Sequence, residues 1–276
     1  MCRLLGRVSR SLSTDADLIG VDGCAEFQRL GRLHADGWGT AWLTDGPDGT
    51  RLGRLRDPGE PTAATDLTGA LTRTPSRARI THLRLATEGL ATQVSNTHPF
   101  LADGIAFAHN GSVPVAPLRE LVTADELNAI GGDTDSAMIF ALVLRRVRRG
   151  EPLFDAVIAV VAELRDRFGQ AALNLLLLSE RELIAAHANE GARVPHEDFV
   201  ASGLGADLPA DHVDHYYRMS WRRTDDGLVI TSSGLPSDGW MPLQQHTAAR
   251  VDCASLELEL RSIRGSRAGD GRSDAA

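Results

Sequence analysis

The chain opens with Met1-Cys2-Arg3-Leu4-Leu5-Gly6, in which a cysteine directly follows the initiating methionine. Once Met1 is removed, Cys2 carries a thiol and a free α-amine on the same residue. A thiolate is the strongest nucleophile among ordinary side chains, and an α-amine that titrates near pH ~7.7–8.0 can act as a base close to neutrality. Nucleophile and base would then share one residue, as in enzymes that use an N-terminal threonine. Taken alone, Cys2 is more simply explained as a small apolar residue at the start of a buried strand.

The composition and charge limit the classes of partner. The 276 residues can bury a sizeable core, and 42% hydrophobic with 24% charged residues is ordinary for a globular protein. The formal charge of −8 argues against a nucleic-acid or membrane partner. None of the 29 basic residues is a lysine, which excludes Schiff-base and Walker-type lysine chemistry.

The cysteines and the apolar runs indicate where in the cell the protein is located. Cys2, Cys24 and Cys253 are too few and too scattered for a disulfide framework or a zinc site, so we expect reduced thiols in a cytoplasm. No apolar run reaches the ~20 residues that span a bilayer, and the arginines close to the start of the chain argue against a signal peptide.

The predicted elements come in the order strands, two adjacent long helices, then strands again. Asp133-Thr134-Asp135-Ser136 provides polar caps before the apolar run Ala137–Arg149, and the arginines near its end together with Gly150 complete a helix. A second helix of similar length is predicted over Pro152–Phe168. Because the elements do not alternate as a βαβ series, the pattern disfavours a doubly wound parallel sheet and predicts an α+β layered architecture.

Hydrophobic alternation and turn residues place the other elements. We expect one domain over residues 2–263, an irregular stretch at Gly191–Ser220, and a disordered tail over 264–276. The predicted strands are Arg3–Val8, Thr40–Thr44, Thr50–Leu55, Arg79–Ala86, Gly104–His109, Leu173–Leu178, Leu183–Ala188, Leu228–Ser232 and Leu256–Arg261, and the predicted short helices are Cys24–Leu30, Thr65–Leu71, Leu118–Val122 and Asp125–Ile130.

Six stretches of polar and reactive residues follow one another over the first half of the chain. They are Met1-Cys2-Arg3-Leu4-Leu5-Gly6, Asp36-Gly37-Trp38-Gly39, His82-Leu83-Arg84, Asn96-Thr97-His98-Pro99-Phe100, Ala108-His109-Asn110-Gly111 and Thr134-Asp135-Ser136. In this order they resemble the class II glutamine amidotransferases, which are N-terminal-nucleophile hydrolases, and in particular the free-standing members that begin Met-Cys-x-Leu-Leu-Gly. The resemblance implies a four-layer αββα sandwich, with two antiparallel sheets face to face and helices outside.

The resemblance also implies the roles of the reacting groups. Cys2 would attack the side-chain amide carbonyl of glutamine or of a γ-glutamyl compound, and its own amine would pass the proton to the leaving nitrogen. The side-chain amide of Asn110 and the backbone N–H of Gly111 would form the oxyanion hole.

Further residues are implied to hold the substrate. Arg84 would clamp the α-carboxylate as a bidentate fork, and Asp135 would pair with the α-ammonium. Thr87 and His98 would line the substrate site, and Trp38 would form a wall of the pocket. In synthase-linked members a tryptophan and a histidine stand where this chain has Leu85 and Glu88, so the role of that histidine does not carry over.

Most of these assignments have a simpler structural alternative. Arg84 could be a solvated strand residue, Asn110-Gly111 is a common turn dipeptide, and Asp135 could merely cap the following helix. His82, His98 and His109 lack the tight spacing of a ligand cluster, so we expect no metal, and the resemblance implies no cofactor.

Three functions remain open at this point. The first is a stand-alone hydrolase of γ-glutamyl compounds, similar to relatives in glutathione degradation and ergothioneine synthesis. The second is a glutaminase subunit that supplies ammonia to a separate partner synthase. For the first function, the possible partner is a peptidase. The third is a catalytically silent binding module on the same fold, which a retained Met1 would favour because the amine would then be blocked.

Overall fold

Two antiparallel sheets and a set of outer helices make up the described part of the chain. The computed structural model describes residues 2–46, 49–86, 92–194, 196–204, 209, 212, 214–236 and 238–264. The strands are β1 (Arg3–Ser13), β2 (Trp38–Gly46), β3 (Gly49–Asp57), β4 (Ser76–Leu83), β5 (Phe100–Ala102), β6 (Ile105–Ser112), β7 (Ala172–Leu178), β8 (Glu182–Ala188), β9 (Met219–Arg223), β10 (Gly227–Ser232), β11 (Met241–Pro242), β12 (Thr247–Asp252) and β13 (Leu258–Ser262). The helices are α1 (Asp15–Arg29), α2 (Thr65–Thr72), α3 (Val115–Arg119), α4 (Ala124–Ile130), α5 (Asp135–Arg148), α6 (Leu153–Arg167) and α7 (His196–Ala201).

The strand order gives one sheet of seven strands and one of six. The first sheet runs β11-β9-β10-β1-β4-β2-β3, and the second runs β13-β12-β8-β7-β6-β5. Each registered strand pair is antiparallel, including β1 with both β4 and β10. The predicted α+β fold with two antiparallel sheets and flanking helices is therefore confirmed.

The side-chain period of two along each strand separates the layers. On β1, Leu4 and Val8 point into the gap between the sheets, whereas Leu5 packs under the outer helices α1 and α2. On β7, Leu176 and Leu178 face the gap, and the alternate leucines face α5 and α6. Because both faces of β7 are covered, its sequence is a nearly continuous leucine run instead of an alternating pattern.

The two long helices cover the second sheet, as the sequence predicts. The side chain of Thr134 caps α5 by accepting the backbone N–H of Ala137 at 3.3 Å. The rings of Phe107 on β6 and Phe140 on α5 stack with centroids 5.0 Å apart. Helix α5 is buried through most of its length, so it needs apolar neighbours on several sides. Helices α3, α4 and α6 provide them.

Some elements differ from the sequence prediction. Helix α1 begins at Asp15, well before the predicted Cys24, because Thr14 and Asp17 form a capping box. Strands β9 and β12 were not predicted, since each is short and gains its place by pairing with neighbouring strands. The stretch predicted to be irregular contains α7 and the start of β9. The predicted tail lies outside the described residues, apart from residue 264.

No single helix in the described part of the chain is long and apolar enough to cross a bilayer. Only when Ala124–Ile130 and Asp135–Arg148 are taken together, across a bend of 102°, do length and composition reach those of a span.

A buried charge cluster fixes the start of α1 to the first sheet. Asp15 lies 3.3 Å from Arg7 Nε and 3.2 Å from Arg79 Nε, and all three side chains are at most 2% exposed. Arg7 also donates to the carbonyl oxygens of Ser13 and Ser76 at 2.6 and 2.7 Å. Burial lowers the pKa of Arg79 to about 10, so this guanidinium stays protonated near neutrality. One carboxylate therefore serves two buried cations.

We expect Asp15→Ala to reduce the free energy of unfolding by about 3–5 kcal/mol, because it leaves two buried guanidinium groups without their counter-ion. Urea denaturation measures the loss. The control is Glu163→Ala, which removes a half-exposed partner of Arg146 and should change stability by less than about 1 kcal/mol. Equal losses in the two variants would contradict the importance of the buried cluster.

Candidate active site

The candidate site lies at one end of the gap between the two sheets. Cys2 precedes β1 at the centre of the first sheet and is 7% exposed. Residues from both sheets and from the start of α5 meet it there. The pocket is lined by Cys2, Arg84, Leu85, Ala86, Asn96, His98, His109, Gly111, Thr134, Asp135 and Ser136. The structure therefore brings together five of the predicted site residues and places Asn110 directly behind them.

A hydrogen bond across the gap positions the nucleophile. The nitrogen of Cys2 donates to Asn110 Oδ1 at 2.9 Å, and the Cys2 Sγ lies 3.8 Å from the carbonyl oxygen of Leu85. While Met1 is present this nitrogen is the amide that follows it, and it stands in for the α-amine that removal of Met1 would create. The nitrogen of Cys2 thus lies beside Asn110, and Cys2 lines the same pocket as Gly111, the other residue that the family resemblance assigns to the oxyanion hole.

Asn110 and Gly111 lie inside strand β6, where they pair with Asn174 and Leu173 of β7. The turn alternative is therefore wrong. Asn110 is fully buried, and its Nδ2 has no hydrogen-bond partner among the described residues. A buried amide donor without an acceptor is costly, typically by about 1–3 kcal/mol. Beside Cys2, this amide is a donor that the oxygen of a bound ligand could accept.

The position of Gly111 admits no side chain. A Cβ placed there would overlap the carbonyl oxygen of Ala172 and come within 2.6 Å of His109 Nε2. Only glycine allows β6 and β7 to approach this closely beside the pocket. The glycine is thus required by packing, whatever its backbone N–H binds.

Arg84 is held by a residue to which the sequence assigned no role. Its backbone exchanges hydrogen bonds with the turn before β2, to Gly37 O at 2.8 Å and from Asp36 N at 3.0 Å, and its Nη1 donates to Asp36 O at 3.3 Å. The carboxylate of Asp36 accepts the backbone N–H of Ala86 at 2.7 Å. Arg84 is only 4% exposed and lines the pocket, so the alternative of a solvated strand arginine is wrong.

Asp135 lies at the start of α5 but is not its capping residue, since Thr134 has that position. One carboxylate oxygen accepts the N–H of Val113 at 2.9 Å, and the other accepts the N–H of Ser136 at 2.8 Å. The carboxylate is buried, held in one orientation and part of the pocket lining. It is thus placed to receive a cationic group from a ligand.

Three buried histidines support the pocket from behind. His98 Nδ1 lies 2.9 Å from His82 Nε2, which in turn lies 3.3 Å from the carbonyl oxygen of His109. The ring of His109 bridges Ser136 Oγ and Ala172 O, each at 2.9 Å. Burial lowers the pKa of His109, and it lowers those of His82 and His98 well below the usual value. Neutral imidazoles next to the pocket leave Arg84 as its charged donor.

Two of the predicted site residues are not placed at the pocket. Trp38 is 1% exposed and packs with Leu5, Phe27 and Leu67 under the outer helices of the first sheet. The alternation along β2 turns it away from the gap, so the predicted pocket wall is not formed by this ring. Thr87 lies outside the described residues.

The neighbouring glycine explains why this tryptophan stands between two glycines. A Cβ on Gly39 would overlap the carbonyl oxygen of His98 and lie 2.9 Å from that of Leu55. Gly39 therefore lets the segment that carries His98 pack directly onto β2. The stretch Gly37-Trp38-Gly39 shapes the site through backbone contact. Its glycines are the feature of the sequence that indicates this close packing.

Comparison with known proteins places these features in a family. The model of the class-II glutamine amidotransferases matches residues 1–207. The glutamine–fructose-6-phosphate aminotransferase of Zymomonas mobilis is 28% identical over 228 residues, covering 79% of this chain and 35% of that protein. The chain spans 18–35% of the length of such curated relatives.

Solved structures share the fold. The glutamine phosphoribosylpyrophosphate amidotransferase from B. subtilis superposes with a TM-score of 0.63 at 19% identity, covering 95% of this chain and 49% of that chain. A glutamine aminotransferase class-II domain protein from Silicibacter pomeroyi superposes with a TM-score of 0.60 at 18% identity, covering 95% of this chain and 99% of that chain.

We expect the free energy of unfolding to fall as the pH drops from 7 to 5. His82 and His98 resist protonation in the folded protein, whereas the unfolded chain takes up these protons near pH ~6.5. The unfolded state then binds more protons, and each such imidazole contributes a slope that approaches about 1.4 kcal/mol per pH unit. Urea titrations at several pH values measure the slope. A His98→Asn variant should show a shallower slope, and an unchanged one would contradict the assignment.

Proposed function

This chain belongs to the class II glutamine amidotransferases, and we propose that it hydrolyses the γ-amide bond of glutamine or of a γ-glutamyl compound through a thioester on Cys2. The observation that carries the proposal is that the two ends of the Asn110 side-chain amide are available to two different groups. Its Oδ1 holds the nitrogen of Cys2, and its buried Nδ2 has no partner among the described residues. One side chain thus orients the nucleophile and offers a donor to an incoming oxygen.

The proposed reaction begins with removal of Met1. The α-amine of Cys2 takes the thiol proton, and the thiolate attacks the γ-carbonyl carbon to give a tetrahedral oxyanion. Asn110 Nδ2 and the backbone N–H of Gly111 donate to that oxyanion. The C–N bond then breaks as the ammonium returns its proton to the leaving nitrogen, which releases ammonia or an amine. Water attacks the remaining thioester, and glutamate leaves as Cys2 regains its proton.

The rest of the pocket would recognise the amino-acid end of the substrate. Arg84 would bind the α-carboxylate, and the segment held by Asp36 would keep its guanidinium in place. The buried carboxylate of Asp135 would bind the α-ammonium. His98, which lines the pocket as a neutral ring, would contact the glutamyl chain. Thr87 keeps its proposed contact on the family resemblance alone.

Two candidate activities differ in what happens to the nitrogen that leaves the substrate. We favour a stand-alone γ-glutamyl hydrolase, which is supported by the resemblance of the Met-Cys-x-Leu-Leu-Gly motif to that of free-standing members. The second candidate is supply of ammonia to a separate partner synthase. It is supported by the curated relatives, which are named as glutamine–fructose-6-phosphate aminotransferases. A silent binding module is the third, and retention of Met1 would support it.

The test combines intact mass with a substrate screen. We expect the mass of the purified protein to lack Met1, and we expect glutamate release from γ-glutamyl amides or peptides with a mass increment on Cys2 in rapidly quenched samples. Activity with glutamine alone would favour ammonia supply over γ-glutamyl hydrolysis. A Cys2→Ala variant should be inactive but folded. Full activity of that variant, or a homogeneous protein that retains Met1 and is inactive, would refute the enzymatic proposal.

Asn110→Ala should reduce kcat by ~10²–10³ with a smaller change in KM, because the lost donor acts on the oxyanion more than on the ground state. Asn110→Asp provides the sharper comparison, since it keeps an acceptor for the Cys2 nitrogen while removing the donor, and it should be at least as impaired. Asn128→Ala, on the exposed face of α4, is the matched control. Steady-state kinetics on glutamine would contradict the role if Asn110→Asp retained wild-type kcat.

A further inference from the structure

Two arginines on an edge strand of the first sheet have no role in the proposed reaction. Strand β3 ends that sheet, and among the described strands it pairs with β2 alone. Arg54 lies opposite Ala41, and Arg56 lies opposite Gly39. Ala41 belongs to the core between the sheets, and directly paired residues point to the same face. Both arginines are therefore carried on the face of β3 that is turned toward the gap, at its open side.

Backbone contacts set the position of Arg56. Its Nη1 donates to the carbonyl oxygen of Thr97 at 3.0 Å and to that of Ser95 at 3.4 Å. The side chain passes over Gly39, where an added Cβ would lie 3.1 Å from Arg56 Cγ. Nε and Nη2 have no hydrogen-bond partner in the described part of the chain, and neither is a buried atom. Their N–H groups are thus available to a ligand while Nη1 stays bonded to the protein.

Arg54 makes neither a hydrogen bond nor an ion pair with the residues that the structure describes. Its side chain is partly buried. Nη1 is buried without a partner, whereas Nε and Nη2 are not buried. This guanidinium has lost part of its hydration without gaining a counter-ion from the described residues, and burial lowers its pKa accordingly. An anion from solution would supply the missing acceptor.

The two guanidinium groups repel each other. Successive residues on one face of a strand are ~6.6–6.8 Å apart, so Arg54 and Arg56 extend from neighbouring positions. Burial, together with the charge of Arg54, lowers the pKa of Arg56 to about 10, and both groups remain protonated near neutrality. No described carboxylate contributes to the pKa shift of either group. A bound anion would replace this repulsion with two attractive contacts.

The chemistry of the pair selects the ligand. A guanidinium binds the oxygens of a carboxylate or a phosphate as a planar fork. Two forks at neighbouring positions require an anion with more than two oxygens and more than one charge. A phosphate group near neutral pH meets both requirements, whereas a single carboxylate meets neither. The formal charge of −8 repels an extended polyanion, which favours a small phosphate-bearing molecule over a nucleic acid or an anionic membrane.

We propose that Arg54 and Arg56 bind the phosphate group of a small molecule, with Nε and Nη2 of each arginine donating to its oxygens. Since Nη1 of Arg56 is bonded to backbone carbonyls just before His98, the ligand would be held next to a segment that lines the Cys2 pocket. The site needs no reaction at Cys2 and goes beyond the proposed hydrolysis. Phosphate binding should therefore persist unchanged in Cys2→Ala, and the two proposals can fail independently.

The test is a titration of the protein with glycerol 3-phosphate, inorganic phosphate, glycerol and acetate at constant ionic strength and about pH 7.5, above the second phosphate pKa of ~6. Calorimetry gives the dissociation constants, and the Nε–H signals of the arginines in nitrogen-15 spectra identify the responding residues. We expect saturable millimolar binding of both phosphates with shifts at Arg54 and Arg56, and binding of acetate and glycerol about tenfold weaker or less. No saturable binding, equally tight acetate, or binding of inorganic phosphate alone would overturn the proposal.

Variants of one strand locate the site. Arg54→Gln should weaken binding of glycerol 3-phosphate about tenfold, and Arg54→Lys, which keeps the charge but loses the fork, should weaken it about threefold. The matched control is Arg51→Gln, at an exposed position on the other face of β3, which should change the dissociation constant less than about twofold. Thermal unfolding verifies that Arg54→Gln is folded, as expected for loss of a cation without a described partner. Unchanged affinity in Arg54→Gln, or an equal loss in Arg51→Gln, would refute the location.

Discussion

The candidate active site depends on one hydrogen bond that crosses the gap between two sheets, from the nitrogen of Cys2 to Oδ1 of Asn110. Cys2 is carried by the central strand of the first sheet, which is paired on both sides, and Asn110 by an inner strand of the second. Neither strand can shift without disrupting a ladder of backbone hydrogen bonds. The nucleophile is thus held by the sandwich itself, and the amide donor of Asn110, which has no partner in the part of the chain that the structure describes, is kept next to it. Burial of this donor therefore lowers the stability of the folded protein before any ligand is bound.

Close backbone packing is the second requirement. Gly39 and Gly111 stand where a Cβ would overlap carbonyl oxygens of His98 and Ala172. Gly39 lets the segment that carries His98 pack directly onto β2, and Gly111 lets β6 and β7 approach closely beside His109. Burial then keeps the imidazoles neutral, so the electrostatics of the pocket come from Arg84 and Asp135, one cation and one anion. A pocket of this kind suits an amino-acid zwitterion.

A polar row crosses the second sheet behind the candidate active site. Paired residues on adjacent strands share a face, so the row that begins at Asn110 continues through Asn174 to His187. The neighbours of these residues on the face toward the gap are mostly leucine and alanine. A polar residue on such a face needs partners, and Asn174 has them in the carbonyl oxygen of Tyr217 and the side-chain amide of Asn189. The asparagine within the leucine run of β7 is therefore part of a buried hydrogen-bond network.

The sequence alone determined the layered α+β class, the long helices α5 and α6, and five of the residues that line the pocket, because periodicity, caps and ordered motifs are local signals. It could not determine which face of β2 Trp38 occupies, that Asp36 holds the segment after Arg84, or that β12 is a strand. Those depend on register and on partners far away in the chain, which set side-chain direction and burial. The tertiary structure also decided that Asn110-Gly111 is strand and not turn, since the same dipeptide serves in both and only the pairing with β7 selects one.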